Sequence, residues 1–248
     1  MKIAILSDIH GNLSALDAVL AHLDANGGAD EIVVLGDVVT MGPQPREVID
    51  RLRERGCLVV QGNTDTWYAP EATPPKSPKK IKEKREKRIS RLYHWLKDEL
   101  RPEDIEFLNA LPFSYEVTAG TERLWFIHGS PRRNNETIWA ITPDDELRKM
   151  LKPARQADAT LVACGHTHYA MLRVLEGITV VNPGVVGTQG TGDVRAAYVL
   201  LTVEDAGPRV EFRRVAYDPT STITAAGERD FPLAKRYARK LREGAEML

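Results

Sequence analysis

The sequence predicts an α/β fold in which a parallel sheet is threaded by helical crossovers. Over the first 65 residues, short apolar runs alternate with segments whose apolar side chains recur at helical spacing. Five of the apolar runs in the chain end in polar residues of metal-binding type, and open α/β sheets gather such residues at the carboxyl ends of their strands. With 248 residues, 42% of them hydrophobic, the chain can bury a sizeable core. Its net charge of −1 gives no general attraction to nucleic acid or membrane.

Residues 3–6, the first element, form an apolar run suited to a strand covered on both faces. Asn12 is placed to cap a helix carrying Leu13, Leu16, Val19, Leu20 and Leu23 on one side, and Asn26-Gly27-Gly28 stops it. A second strand spans 32–35. A helix over 45–55 aligns Val48, Ile49 and Leu52, and a third strand covers 58–60. Residues 68–112 read as an insertion over or beside the sheet. It holds a proline-rich loop, then nine basic and two acidic residues between Lys76 and Arg91. The apolar stretch 92–96 comes next, then a helix opened by Pro102 with Ile105, Leu108 and Leu111 inward. Strands return at 124–127, 160–163, 178–181 and 197–203. Thr142-Pro143-Asp144-Asp145 marks a helix start, with Thr142 as its cap. Val210, Phe212 and Tyr217 suggest one more strand, and 232–244 an amphipathic charged helix. The whole, 1–248, is expected to be one domain with that insertion and that terminal helix.

The N-terminus does not read as a signal peptide, because Asp8 and His10 interrupt a short apolar run, and no stretch approaches the roughly 20 apolar residues of a membrane span. Cys57 and Cys164 sit in apolar runs and are expected to be small buried hydrophobes in a reducing, cytoplasmic setting.

The five strand ends carry the chemistry: Asp8-Ile9-His10, Gly36-Asp37, Gly62-Asn63-Thr64-Asp65, His128-Gly129 and Gly165-His166-Thr167-His168. Each motif alone is weak. An aspartate after glycine often starts a turn, and a lone histidine is more often a satisfied core residue. Two histidines one residue apart on a loop are harder to assign to packing. Agreement decides the matter, since four of the six histidines fall at strand ends with aspartates and an asparagine. His22 and His94 lie on helices and are read as structural. The donors exceed the needs of one ion, and a carboxylate such as Asp37 can bridge two. Two ions about 3.5–4 Å apart clamp the attacking and leaving oxygens of a phosphoryl displacement.

These residues resemble the calcineurin-like metallophosphoesterase family, whose pattern runs D-x-H, G-D, G-N-H-[DE], H and G-H-x-H, over roughly residues 1–217. The stretches Asp8-Ile9-His10-Gly11-Asn12, Gly42-Pro43 with Glu47-Val48-Ile49, His128-Gly129-Ser130-Pro131-Arg132 and Asn182-Pro183-Gly184 are similar to a bacterial and archaeal branch of phosphodiesterases and diadenosine-tetraphosphatase-like proteins. The resemblance implies a four-layer sandwich, two mixed sheets face to face and flanked by helices. It also implies two divalent ions drawn from manganese, iron, zinc and nickel. Asp8, His10 and His168 would hold one ion and Asn63, His128 and His166 the other, with Asp37 bridging. A water activated by the ions would attack phosphorus in line, with Asn63 part of the catalytic set. Thr64 stands where the family often has histidine. A threonine is a poor general acid, so diesters, anhydrides or activated esters are expected over alkyl monoesters. Asn12, Thr64 and Arg132 are candidates to contact substrate, Asp65 to support a ligand from behind, and Val185 replaces a frequent serine.

The expected partner is a small phosphorylated substrate. The basic run is read first as a solvated helix or loop and second as an electrostatic lid. Its few aromatics do not favour nucleic acid. The rival functions are a nuclease, a protein Ser/Thr phosphatase, and a non-catalytic metal-binding scaffold.

Overall fold

Side chains of the first strand divide between two cores by simple alternation: Ile3 and Ile5 enter one, Ala4 and Leu6 the other. That division sets the layering of the molecule. The computed structural model describes residues 1–69, 83–187, 192–205 and 207–244. The first crossovers run β1 (Lys2–Leu6), α1 (Leu13–Ala25), β2 (Glu31–Val34), α2 (Pro45–Glu54) and β3 (Leu58–Val59), followed by a single 3-10 turn at Asp65–Tyr68. Next come α3 (Glu83–Glu99), α4 (Pro102–Ala110), β4 (Ser114–Ala119), β5 (Glu122–Ile127), α5 (Asp144–Met150), α6 (Lys152–Gln156) and β6 (Leu161–Ala163). The chain closes through β7 (Met171–Leu175), β8 (Ile178–Asn182), β9 (Ala196–Glu204), β10 (Gly207–Val215), α7 (Thr220–Glu228) and α8 (Ala234–Glu243).

Two five-stranded sheets result, ordered β10-β9-β1-β2-β3 and β4-β5-β6-β8-β7. Both are mixed: β1, β2 and β3 run parallel, as do β5, β6 and β8, while β9, β10, β4 and β7 pair antiparallel. Ile3, Ile5, Val33, Leu35, Phe126, Leu161 and Val199 meet between the sheets. On the outer side of the first sheet, Ala4, Leu6 and Val34 pack under Leu16, Val48, Leu96 and Tyr237 from helices α1, α2, α3 and α8. On the outer side of the second, Val162 and Val180 pack under Leu147, Met150 and Ala154. The order is therefore helices, sheet, sheet, helices.

The structure adds to the expected elements. Strand β4 and helices α6 and α7 carry too little apolar pattern to be read from sequence, and β7 (Met171–Leu175), although apolar, is not among the expected strands. The hydroxyl of Thr142 does not cap α5 but accepts the N–H of Trp139 at 2.9 Å, and Pro143 occupies the cap position. Much of the basic run lies in residues 70–82, outside the described residues. Beyond it, helix α3 docks Leu92, Tyr93 and Leu96 onto the outer core of the first sheet. Among the described residues no helix is long and apolar enough to cross a membrane. His22 and His94 have structural partners, the Tyr198 hydroxyl at 3.0 Å and the Ser90 carbonyl at 2.7 Å. Both cysteines are free; Cys164 is buried and Cys57 half-buried.

Candidate metal centre

The seven candidate ligands come from the carboxyl ends of β1, β2, β3, β5 and β6, where the parallel runs of both sheets terminate side by side. Five of them turn through the left-handed region, with φ of 56° at Asp8, 52° at His10, 54° at Asp37, 67° at His166 and 66° at His168. Each such residue costs on the order of 1 kcal/mol, and a concentration of them at one place marks a functional site. Tight approach also fixes two glycines. A Cβ on Gly62 would stand 2.3 Å from Asp37 Oδ1, and one on Gly165 would stand 2.0 Å from Ser7 Oγ.

The donors gather into two trios, Asp8–His10–His168 and Asp37–His128–His166, each with its donor atoms within 4.8 Å of one another. In the first, His10 Nε2 lies 3.1 Å from His168 Nε2, and Asp8 Oδ1 lies 3.2 Å from His168 Nε2 and 3.8 Å from His10 Nε2. In the second, His128 Nε2 lies 3.2 Å from His166 Nδ1 and 3.0 Å from Asn63 Oδ1. The Asp37 carboxylate faces both trios, Oδ1 being 3.5 Å from His128 Nε2 and Oδ2 3.9 Å from His10 Nε2. Donors sharing one ion at about 2.0–2.1 Å stand roughly 3–3.5 Å apart, so these spacings fit ligand sets.

The surroundings aim the donors. His10 Nδ1 donates to the Thr40 carbonyl at 2.7 Å and His128 Nδ1 to the Leu35 carbonyl at 2.6 Å, which turns the Nε2 of each ring inward. Asp8 Oδ2 accepts from Ser7 Oγ at 2.5 Å and from the His166 N–H at 3.1 Å. Its other oxygen, Oδ1, is buried and has no hydrogen-bond partner among the described residues. A buried carboxylate oxygen left without a donor, among imidazole lone pairs that face one another, is unfavourable unless a cation stands between them.

Charge points the same way. Burial and the neighbouring Asp8 push the Asp37 carboxyl up to about 6, although the Thr64 N–H favours its ionised form. Burial and Asp37 push Asp65 up to about 7, against backbone N–H donors from Val38 and Gly62. Burial also opposes ionisation of Asp8, but His168 and the other imidazoles outweigh it and hold the group well below the usual range. Burial and His168 hold His10 down at about 3, and burial lowers His166. For His168 burial is outweighed by Asp8, which raises it. Two buried carboxylates, Asp8 and Asp37, and four imidazoles form a donor set of imidazole and carboxylate, suited to first-row divalent ions.

The structure brings all seven expected ligands together, and sorts the other candidates. Thr64 is 7% exposed and gives its N–H to Asp37 Oδ1 at 2.9 Å. Asp65 stands behind Asp37, accepting N–H groups from Asp37 and Gly62 at 2.8 Å and from Val38 at 2.9 Å. Asn12 is fully buried and occupied: Oδ1 accepts the Ala15 N–H at 3.2 Å as a helix cap, and Nδ2 donates to the Gly187 carbonyl at 2.7 Å. Its side chain holds the fold beside the centre. Arg132 forms a two-point pair with Glu136, at 3.0 and 2.6 Å, so its charge is already matched. Val185 is buried. Ser7, which orients Asp8, escaped the sequence reading; its only signal there is a short polar residue directly before the D-x-H motif. The carbonyls of Leu35 and Thr40 leave no signal in a sequence at all.

Residues 1–206 match the model of the calcineurin-like phosphoesterase superfamily domain. An uncharacterized protein of Methanocaldococcus jannaschii is 29% identical over 231 residues, 87% of this chain and 88% of that protein. The phosphodiesterase YfcE of Escherichia coli is 41% identical over a shorter stretch of 76 residues, 27% of this chain and 41% of YfcE. Among solved structures, a metallophosphoesterase from Sphaerobacter thermophilus aligns over 99% of this chain and 100% of its own, with 29% identity and a TM-score of 0.72. A hypothetical protein from Pyrococcus horikoshii OT3 aligns over 99% of both chains with a TM-score of 0.82 and 22% identity, which speaks to the fold. The chain belongs to the calcineurin-like phosphoesterase superfamily.

Proposed function

We propose that this protein is a phosphoesterase working with two divalent ions, and that small phosphodiesters or nucleotide-like anhydrides are its substrates. The observation that carries the reading is Asp37, whose two oxygens each face a different trio, at 3.5 and 3.9 Å. Asp8, His10 and His168 would hold one ion, Asn63, His128 and His166 the other, and Asp37 both. When bound, the ions would supply Lewis acidity, which activates a water and offsets charge on the phosphoryl oxygens.

The chain's own residues do the rest. Ser7 and the His166 N–H fix one oxygen of Asp8, so that the other faces the His10–His168 pair. Asp65 holds the β2 turn through three N–H groups and thereby the direction of Asp37. Asn63 offers Oδ1 beside His128, and the other limb of its amide carries donors for a phosphoryl oxygen. Thr64 occupies a buried place beside Asp37 and brings no group that titrates near neutral pH. Without such an acid, a leaving group must depart largely unaided, which favours aryl or nucleotide leaving groups over alkoxides.

The test is to strip the purified protein of metal, re-supply manganese, and compare kcat/KM on an aryl phosphodiester with an alkyl monoester. Metal-restored turnover of the diester, exceeding the monoester by about 10²-fold or more, is expected. A clear monoester preference, or turnover indifferent to metal, would refute the reading.

A further inference from the structure

Of the large apolar side chains left in water, three gather at one place: Trp139, 42% exposed, Tyr169, 51%, and Ile141, 90%. Together with Ile138, Thr167 and Met171 they line a cavity of about 260 Å³. The rings of Trp139 and Tyr169 stand 5.8 Å apart between centroids and are tilted by 59°, so they meet as two walls of a corner rather than as a stack. The turn that carries Trp139 is closed on itself. The Trp139 N–H donates to Thr142 Oγ1 at 2.9 Å, and the Thr142 N–H donates back to the Trp139 carbonyl at 3.0 Å. From β7, Arg173 donates to the carbonyls of Ala140 and Thr142. The indole is therefore held in place before any ligand arrives.

Thr167 and Tyr169 set this cleft against the candidate centre. Thr167 stands between His166 and His168, and Tyr169 follows directly, one Cα step of about 3.8 Å from His168. Thr167 Oγ1 accepts from Asn182 Nδ2 at 3.1 Å and from the Tyr169 N–H at 3.4 Å, which fixes the segment where it leaves the ligands. In each trio the histidine from this loop is half-buried, whereas Asp8, His10, Asp37 and His128 are buried. The trios thus meet solvent along the loop from which the cleft rises. A phosphoryl group reaching the centre over this loop leaves the rest of its molecule beside Trp139 and Tyr169. No charged side chain lines the cleft, so it suits an apolar group and not a second phosphate. Its volume falls below the roughly 300–1,000 Å³ of pockets for drug-sized ligands, which leaves room for one ring system. Every nucleobase has a π-face, and aromatic side chains hold it by stacking. We propose that the Trp139–Tyr169 cleft is a nucleobase subsite, binding the base of a nucleotide whose phosphoryl group lies at the metal centre. The inference rests on the phosphoesterase reading above and narrows its substrates to nucleotides. The rival occupant of such an exposed apolar cluster is the surface of a second protein.

The experiment is calorimetric titration of metal-loaded wild-type, Trp139→Ala and Tyr169→Ala protein with adenosine 5′-monophosphate and, separately, with inorganic phosphate. Metal content and thermal midpoint are measured on each. Wild type should bind the nucleotide about tenfold or more tighter than phosphate. Each alanine variant should lose most of that advantage while keeping its metal and its affinity for phosphate. Trp139→Phe and Tyr169→Phe, which keep a π-face, should retain it. A nucleotide bound no tighter than phosphate by wild type, as the rival occupant requires, would overturn the proposal, and so would an undiminished advantage in either alanine variant. Should an alanine variant fail to fold or to hold metal, leucine at the same position, which keeps apolar bulk without a π-face, carries the same expectations. A wild-type protein that binds neither metal nor phosphate would instead overturn the phosphoesterase reading itself.

Discussion

Asp65 belongs to neither trio, yet three backbone N–H groups end on its carboxylate and its neighbour is the bridging candidate Asp37. An amide in its place has one oxygen where two are needed, so Asp65→Asn should release the β2 turn. Groups that orient ligands typically contribute 10–100-fold in metal affinity, and we expect a loss of about that size, measured by competition with a chelator. Affinity within twofold of wild type would remove Asp65 from that role. Thr64 invites the opposite experiment: Thr64→His should raise kcat/KM on an alkyl monoester by roughly 10²-fold and leave an aryl diester little changed. No gain on the monoester would show that something other than a missing acid sets the preference. Arg132→Ala should alter KM less than about threefold, because Glu136 already matches its charge in the free protein. A tenfold rise would return it to the site. The candidate ligands stood out in the sequence because each ends an apolar run. The capping role of Asn12 was legible too, but not that it excludes a phosphate contact, and Arg132's pairing with Glu136 was not, because an arginine beside a metal motif looks the same whether it faces a phosphate or a carboxylate.

Strands and helices bring the residues together, and their legibility followed burial. β1, β2, β6 and β8 are covered on both faces and read as continuous apolar runs. β4 and β7 are the two edges of the second sheet and half-exposed; β4 mixes polar and apolar residues so that no run stands out, while β7 is apolar yet short and falls outside the expected strands. α7 is rich in threonine, a poor helix former, and is held by its surroundings, with Thr222 donating to Gln44 Oε1 at 2.6 Å. The two mixed sheets face to face were implied only by family resemblance, since antiparallel partners cannot be assigned from runs alone. At this scale the turn after β6 is the sensitive joint. Gly165→Ala would drive a methyl group onto Ser7 Oγ and towards Asp8 Oδ2. We expect this single methyl to lower stability by about 1–3 kcal/mol and to weaken metal binding, seen as a reduced thermal midpoint that added metal restores only partly. A fully stable variant with normal metal content would mean that the turn can move.

For the whole molecule, the buried charges link stability to pH. His168 is held above its ordinary value of 6.5, so its contribution is complete below that pH and is lost as pH rises through the folded value. Asp37 and Asp65, raised from 3.8 to about 6 and about 7, keep protons that the unfolded chain has released, so stability falls as pH climbs through that interval. His10, held at about 3, and His166 act in the opposite sense, but only below 6.5, where the unfolded chain takes up protons. Above 6.5 the opposing groups are silent. The metal-free protein should therefore lose thermal stability as pH rises from 6.5 through about 7, where Asp65 titrates, and saturating metal, which prefers ionised carboxylates and neutral imidazoles, should remove that slope. A flat or rising midpoint in the metal-free protein would contradict this charge arrangement.

The central claim is that Asp37 joins two ions. Counting bound metal tests it most directly: calorimetric titration of stripped wild-type and Asp37→Asn protein with manganese. Two equivalents per wild-type chain, falling to one or to markedly weaker binding in the variant, are expected. One equivalent or none in the wild type, or two retained at full affinity in Asp37→Asn, would contradict the account.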